Sequence, residues 1–258
     1  MIHLLSLLAA VLVSLQYSFA LPEISQNRLD NSLTPNRPAT PKRRLSKNVT
    51  IRVPLPEVFE MLPGGRSELV CSAMGHPAPT VQWLRNNEPI YDYEDETNEI
   101  FSHDPSSVAE LISKLVIKWS SVASGDVFTC VASNGLKQAS STTRIFKIEG
   151  DERLQDSLIL QNLFDVPSKP VITSHYKMVL QNMGTDLVLP CRVNDGSEVY
   201  WEHSENPIYG NARMRVLVSG DLLVADLSWS DMGNFTCTTK NLYGEDSMRT
   251  FVYPLRAN

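Results

Sequence analysis

The sequence predicts an all-β protein built as two tandem sandwiches, and three observations carry that expectation. Beyond residue 48 the chain runs as short β-rich segments broken by Gly, Pro, Asn and Asp, with no long stretch of helical periodicity. The segments around Cys71 and Cys130 return in type and order around Cys191 and Cys237, with Trp83 twelve residues after Cys71 and Trp201 ten after Cys191. Phe128-Thr129-Cys130 is repeated as Phe235-Thr236-Cys237. The length of 258 residues suits two domains of ordinary size, and 42% hydrophobic residues supply a core for each. A net charge of -6 leaves no broad cationic surface for phosphate, so nucleic acid is not an expected partner.

The chain opens on an apolar run from Leu4 to Leu15 that closes with Ser18-Phe19-Ala20, a small-x-small cleavage signature. Residues 1–20 are therefore expected to be a signal peptide, although His3 stands where a Lys or Arg is usual and an uncleaved anchor is the alternative. No second such run follows, and the C-terminus carries neither a membrane span nor the tail of a lipid-anchor signal. The expected location is secreted and extracellular, without membrane insertion, where four cysteines point to two disulfides. Residues 21–47, rich in Pro, Asn, Arg and Ser, read as a flexible basic arm. Within it Pro41-Lys42-Arg43-Arg44 is open to three readings: a solvated linker, a processing site or a polyanion patch.

Leu69-Val70-Cys71-Ser72-Ala73-Met74-Gly75-His76-Pro77-Ala78-Pro79, running into Val81-Gln82-Trp83, resembles the intermediate-set (C2-type) immunoglobulin pattern, whose Gly-x-Pro-x-Pro turn joins strands B and C. The fold expected is thus two tandem immunoglobulin-like β-sandwiches, at residues 48–148 and 170–258. In such sandwiches the spacing of the cysteines suits bridges from strand B to strand F, Cys71 to Cys130 and Cys191 to Cys237, with core tryptophans Trp83 and Trp201 packed on them. Alternation with period two points Val81 and Trp83 inward and Gln82 and Leu84 outward.

In the second domain Asp231-Met232-Gly233-Asn234-Phe235-Thr236-Cys237 follows the family's E–F corner, behind Leu222, Val224 and Leu227 at core spacing. The first domain departs from it, with Ser124-Gly125-Asp126 where Asp-x-Gly is expected, which leaves its E–F turn open. Both domains carry Phe in place of the corner Tyr, and so lack a hydroxyl-to-backbone hydrogen bond worth about 1 kcal/mol. Between the domains, residues 149–169 form a linker that is acidic and polar yet contains Leu158, Ile159, Leu160, Leu163 and Phe164. It is expected to pack at the domain junction and limit bending, or else to dock a partner.

No motif for chemistry is present: there is no nucleophile elbow, zinc-binding His pair, phosphate loop or cysteine knuckle. No catalytic residue, metal site or cofactor is expected, and the scattered His76, His103, His175 and His203 have no ligand spacing. The acidic run Asp92, Glu94, Asp95, Glu96 and Glu99 lacks the Gly and alternation of a calcium loop; it reads as a solvated loop or a contact for a basic partner. Asn48-Val49-Thr50 and Asn234-Phe235-Thr236 are N-glycosylation sequons.

The second domain resembles one family in more detail. Leu189-Pro190-Cys191-Arg192-Val193, Arg215-Val216-Leu217, Gly220-Asp221-Leu222-Leu223, Trp229-Ser230-Asp231-Met232-Gly233-Asn234 and Thr250-Phe251-Val252-Tyr253-Pro254 resemble the small secreted two-immunoglobulin-domain family of invertebrates. That family includes the nematode zwei Ig proteins and the insect imaginal morphogenesis protein of the late class. The resemblance implies an extracellular or cell-surface protein partner and two roles. The first is maintenance of axon position in the ventral nerve cord; the alternative is capture of an insulin-like peptide, which antagonises insulin and growth-factor signalling. The motifs are mainly framework, so no ligand contacts are carried over.

If the partner binds an immunoglobulin sheet, the expected face is the G-F-C side of domain one. Phe128, Cys130 and Ala132 alternate inward, which leaves Val127, Thr129 and Val131 outside, joined by Leu84 on strand C. The matching stripe of domain two, Thr236, Thr238, Lys240 and Tyr200, is more polar and lies beside Asn234. The plain alternative is that Val and Thr are there as strand formers.

Overall fold

The computed structural model describes residues 47–63, 65–90, 104–148 and 168–256. The leader, the basic Pro41–Arg44 stretch, the acidic run at 92–99 and the apolar cluster at 158–164 lie outside the described residues.

The first sandwich comprises β1 (Asn48–Val53), β2 (Val58–Met61), β3 (Arg66–His76), β4 (Thr80–Arg85), β5 (Glu88–Pro89), β6 (Val108–Lys118), β7 (Val127–Ser133) and β8 (Gln138–Lys147). One layer is β1-β3-β6; the other runs β2-β8-β7-β4-β5. Burial along β7 alternates residue by residue, placing Phe128, Cys130 and Ala132 inside. Ala132 packs with Val49 and Ala73, and Phe128 and Cys130 meet Leu69, Cys71, Trp83, Ile117 and Ile145 in one cluster around the Cys71–Cys130 disulfide. Each fully buried side chain of this size contributes about 1.5–3 kcal/mol. The Trp83 indole N–H donates to Ser113 Oγ at 2.9 Å, which satisfies its one polar atom inside the core. Gly75 is required in the B–C turn because a Cβ there would stand 2.8 Å from the Pro77 carbonyl oxygen.

The second sandwich comprises β9 (Ile172–Asn182), β10 (Leu187–Leu189), β11 (Cys191–Val193), β12 (Val199–His203), β13 (Asn206–Pro207), β14 (Met214–Val216), β15 (Leu222–Val224), β16 (Gly233–Asn241) and β17 (Gly244–Leu255). Leu222, Val224 and Leu227 are buried with Phe235, Trp201 and the Cys191–Cys237 disulfide. Gly220 sits at φ 87° with the Cys191 carbonyl oxygen 2.8 Å from where a Cβ would be, and its own carbonyl accepts from the Trp201 indole. Asp221 accepts from the Cys191 backbone N–H and the Arg192 guanidinium, both at 2.9 Å. The Gly220-Asp221 pair thus ties the E strand to the disulfide-bearing B strand.

The two E–F corners are built differently. In domain two, Asp231 accepts from Arg213 at 2.6 Å and from the backbone and hydroxyl of Ser228 at 2.8 Å, closing the short 3-10 turn Trp229–Asp231. Burial pushes the Asp231 carboxyl up, but these hydrogen bonds and the Arg213 charge outweigh it and hold the group below its ordinary range. In domain one Asp126 does this work from two positions further along. It accepts from Arg85 at 2.6 Å, Asn86 at 2.9 Å and the Ala123 backbone N–H at 2.8 Å.

The sandwiches are joined by strand pairing. β6, the E strand of domain one, pairs antiparallel with β9, the first strand of domain two, from Val108 opposite Leu180 to Ser113 opposite Ser174, with a bulge after Glu110. The result is a continuous sheet in the order β1-β3-β6-β9-β17-β16-β12-β13, with β11 also on β9. Arg66 closes one end of this seam through Ser168 Oγ and the Lys169 carbonyl, and Asn182 closes the other through Ser106 Oγ at 2.8 Å.

Candidate partner-binding surface

Which side of the joined sheet is covered follows from β6. Leu115 and Ile117 pack on the core of domain one, while Ala109 and Leu111, on the same side of the strand, belong to the core of domain two. Both cores therefore lie under one side of the sheet. Its other side, facing away from both, is a single surface shared by the two domains.

Ladder pairing arranges that surface in rows. One row runs Asn48, His76, Val108, Leu180, Tyr253; the next runs Thr50, Met74, Glu110, Met178, Phe251, Asn234. Phe251 and Tyr253 are 40% and 38% exposed, far more than a side chain with a covered face. Beyond Tyr253 stand Trp229, 52% exposed, and Met232; the Trp229 ring meets Tyr253 edge-on at 5.8 Å. Trp229 is presented by the 3-10 turn that Asp231 closes. Methionines beside aromatic rings make an adaptable apolar surface, and partly exposed aromatics are the side chains that anchor interfaces.

Two ion pairs lie on this face. Glu110 accepts from Ser72 Oγ at 2.9 Å and lies 3.6 Å from Lys177 Nζ, while Lys114 lies 3.4 Å from Glu68. Toward the other end of β16 and β17 the face turns polar, with Thr236 opposite Arg249 and Thr238 opposite Ser247.

The G-F-C side of domain one carries Leu84, Val127 and Val131 outward, with Leu84 opposite Thr129, Val131 between Gln82 and Ser140, and Val127 opposite Arg144. All three are half-buried, and Phe146, 53% exposed, extends their sheet toward β2. This stripe lies in a different sheet from the Phe251–Tyr253 surface. Asn48 and Asn234 are both exposed, and both stand on the shared outer surface. The Phe251–Tyr253 surface is absent from the sequence reading because it exists only once β6 and β9 pair. The repeat treats the domains as separate units, and the one available signal is that Met178 and Leu180 alternate with buried Val179 on a first strand.

Among the described residues no group of His, Cys, Asp and Glu is placed to hold a metal ion, and no helix is long and apolar enough to cross a membrane. The architecture defines a tandem-immunoglobulin binding protein rather than an enzyme: the immunoglobulin-domain family model matches residues 50–134 and 169–241. The chain is 31% identical over 204 residues to the neural/ectodermal development factor IMP-L2 of Drosophila melanogaster, covering 78% of this chain and 74% of that protein. It is 27% identical over 219 residues to the Zwei Ig domain protein zig-4 of Caenorhabditis elegans, covering 81% and 82%. The crystal structure of IMP-L2 superposes with a TM-score of 0.65 at 27% identity, over 83% of this chain and 97% of that one. The chain belongs to the two-immunoglobulin-domain family that contains IMP-L2 and the Zwei Ig proteins.

Proposed function

We propose that this chain is a secreted capture protein that binds a small insulin-like peptide on the outer surface of its joined sheet and thereby restrains the peptide's signalling. The apolar leader and the two disulfides support an extracellular site of action. The observation that carries the reading is the continuous outer surface around Met178, Phe251, Tyr253 and Trp229, whose exposed aromatic anchors lie on domain two and which continues across the β6–β9 pairing onto domain one. A ligand spanning the seam meets one preformed surface and loses little to ordering two domains on binding. The family resemblance supplies the class of ligand.

The second role in the family, holding axons in position through contacts with cell-surface proteins, is favoured by the zig-4 relationship, which covers 81% of this chain. Such contacts can use the same surface.

Surface plasmon resonance of the glycosylated protein against a panel of insulin-like peptides tests the reading. Binding that is lost in Met178→Glu/Phe251→Glu and kept in Leu84→Glu/Val131→Glu supports capture on the joined sheet. The reverse pattern moves the contact to the G-F-C side of domain one. Absence of any peptide binding, with large membrane proteins recovered by pull-down from neural tissue, favours the axonal role.

A further inference from the structure

The two sequons stand on one surface, Asn48 at its edge and Asn234 five strands in, with β12 and β13 beyond it. Asn48 lies on β1, the edge strand, and Asn234 lies on β16; β3, β6, β9 and β17 run between them. Asn48 begins the row that ends at Tyr253, and Asn234 ends the adjacent row through Met74, Glu110, Met178 and Phe251. Both asparagines are exposed. Five strand spacings separate them, about 24 Å at roughly 4.8 Å each. The strands between are 11 or 12 residues long, so the bracketed window is about 33 Å along the strands and on the order of 800 Å² in area.

That area is what each partner contributes to a standard stable interface, about 800 Å². The window is also suited to its own copy. Its apolar residues can meet the same residues of a second molecule across a two-fold axis, and Glu110 and Glu68 within it are already paired, with Lys177 and Lys114. Bare, this surface would pair with itself.

We propose that N-glycans on Asn48 and Asn234 act as fences: they block face-to-face pairing of two copies and reserve the window for an occupant narrower than the distance between them. A second copy, whose own sheet is as wide as the first, drives its margins into both glycans. A small folded peptide centred on Met178 and Leu180 of β9, two strands from Asn234 and three from Asn48, fits between them. The proposal rests on the joined sheet being the partner surface, and it is tested by self-association alone.

The protein is produced in secretory eukaryotic cells and compared with Asn48→Gln/Asn234→Gln and with folded protein deglycosylated enzymatically, by sedimentation velocity at micromolar concentration. The expected result is a monomer when glycosylated and a dimer after either treatment, returned to monomer by adding Phe251→Glu. A monomer throughout, a dimer in the glycosylated protein, a dimer that survives Phe251→Glu, or absence of glycan from either site overturns the proposal. Because no peptide ligand is present, failure here leaves the capture reading to its own binding experiment.

Discussion

Ala109 of the first sandwich stands directly opposite Val179 of the second, and both are fully buried. Further along, Leu111 faces Tyr176, and with Ala78 three buried residues of domain one belong to the core of domain two. The seam is therefore a continuation of the fold, with ladder hydrogen bonds and a shared apolar interior. Interdomain contacts in tandem proteins are ordinarily more polar and more mobile than this.

The first consequence is thermodynamic. Leu111→Ala removes a side chain that is 4% exposed, at an expected cost of about 2–4 kcal/mol. Because that side chain fills the core of domain two from a strand of domain one, both domains should unfold together in a single calorimetric transition, lowered as a whole by the substitution. Two separate transitions, with only one shifted, would show that the seam does not couple them.

Acid stability should carry the mark of His175. Burial, with help from Lys114 on β6 and opposition from Asp246 on β17, pulls its imidazole down to about 4, and Nδ1 has no hydrogen-bond partner among the described residues. The unfolded chain protonates at its ordinary value near 6.5, before the folded one does. Stability is therefore expected to fall as pH drops from about 6.5, with the full loss, about 3 kcal/mol, in place below about 4. Urea midpoints at pH 7 and pH 4.5 should converge in His175→Leu. Asp231 and Asp126, both held low by hydrogen bonds and an arginine, contribute stability that is lost only below the ordinary carboxylate range.

Gly220→Ala should be costly despite adding one carbon. The position needs positive φ, and the new Cβ would press on the Cys191 carbonyl oxygen, displacing the acceptor of the Trp201 indole. A loss of about 1–3 kcal/mol in chemical denaturation is expected, with a change in tryptophan fluorescence. Gly125, also at positive φ but with open space around it, should lose less on the same substitution.

Peptide mapping without reduction should recover Cys71 with Cys130 and Cys191 with Cys237. Removing either bridge is expected to cost about 2–5 kcal/mol. A bridge between the domains, or free thiols in the secreted protein, would contradict the two-sandwich architecture.

Much of each sandwich was legible because local rules govern it. Alternation along β7 places Phe128 and Cys130 inside, the cysteine and tryptophan spacing marks strands B, C and F, and Gly75 reports a turn that tolerates no side chain. The corner of domain one was harder to read. Asp126 replaces an acid expected two positions earlier, and its partners Arg85 and Asn86 lie some 40 residues away in the chain, where no local pattern links them.

What the sequence determined by itself is therefore the class of fold, the core positions around each disulfide, the sequons and the family that the second-domain motifs resemble. Tertiary structure alone decided that β6 and β9 pair, that both cores fall on one side of the joined sheet, and that Asn48 and Asn234 share the other side with Phe251 and Tyr253. The physical reason is that period-two alternation specifies which residues of a strand share a side, but leaves unspecified which edge meets which edge. That choice is made by packing Ala109 and Leu111 into the second core, a contact between segments separated in the chain by the whole of strands F and G and the linker.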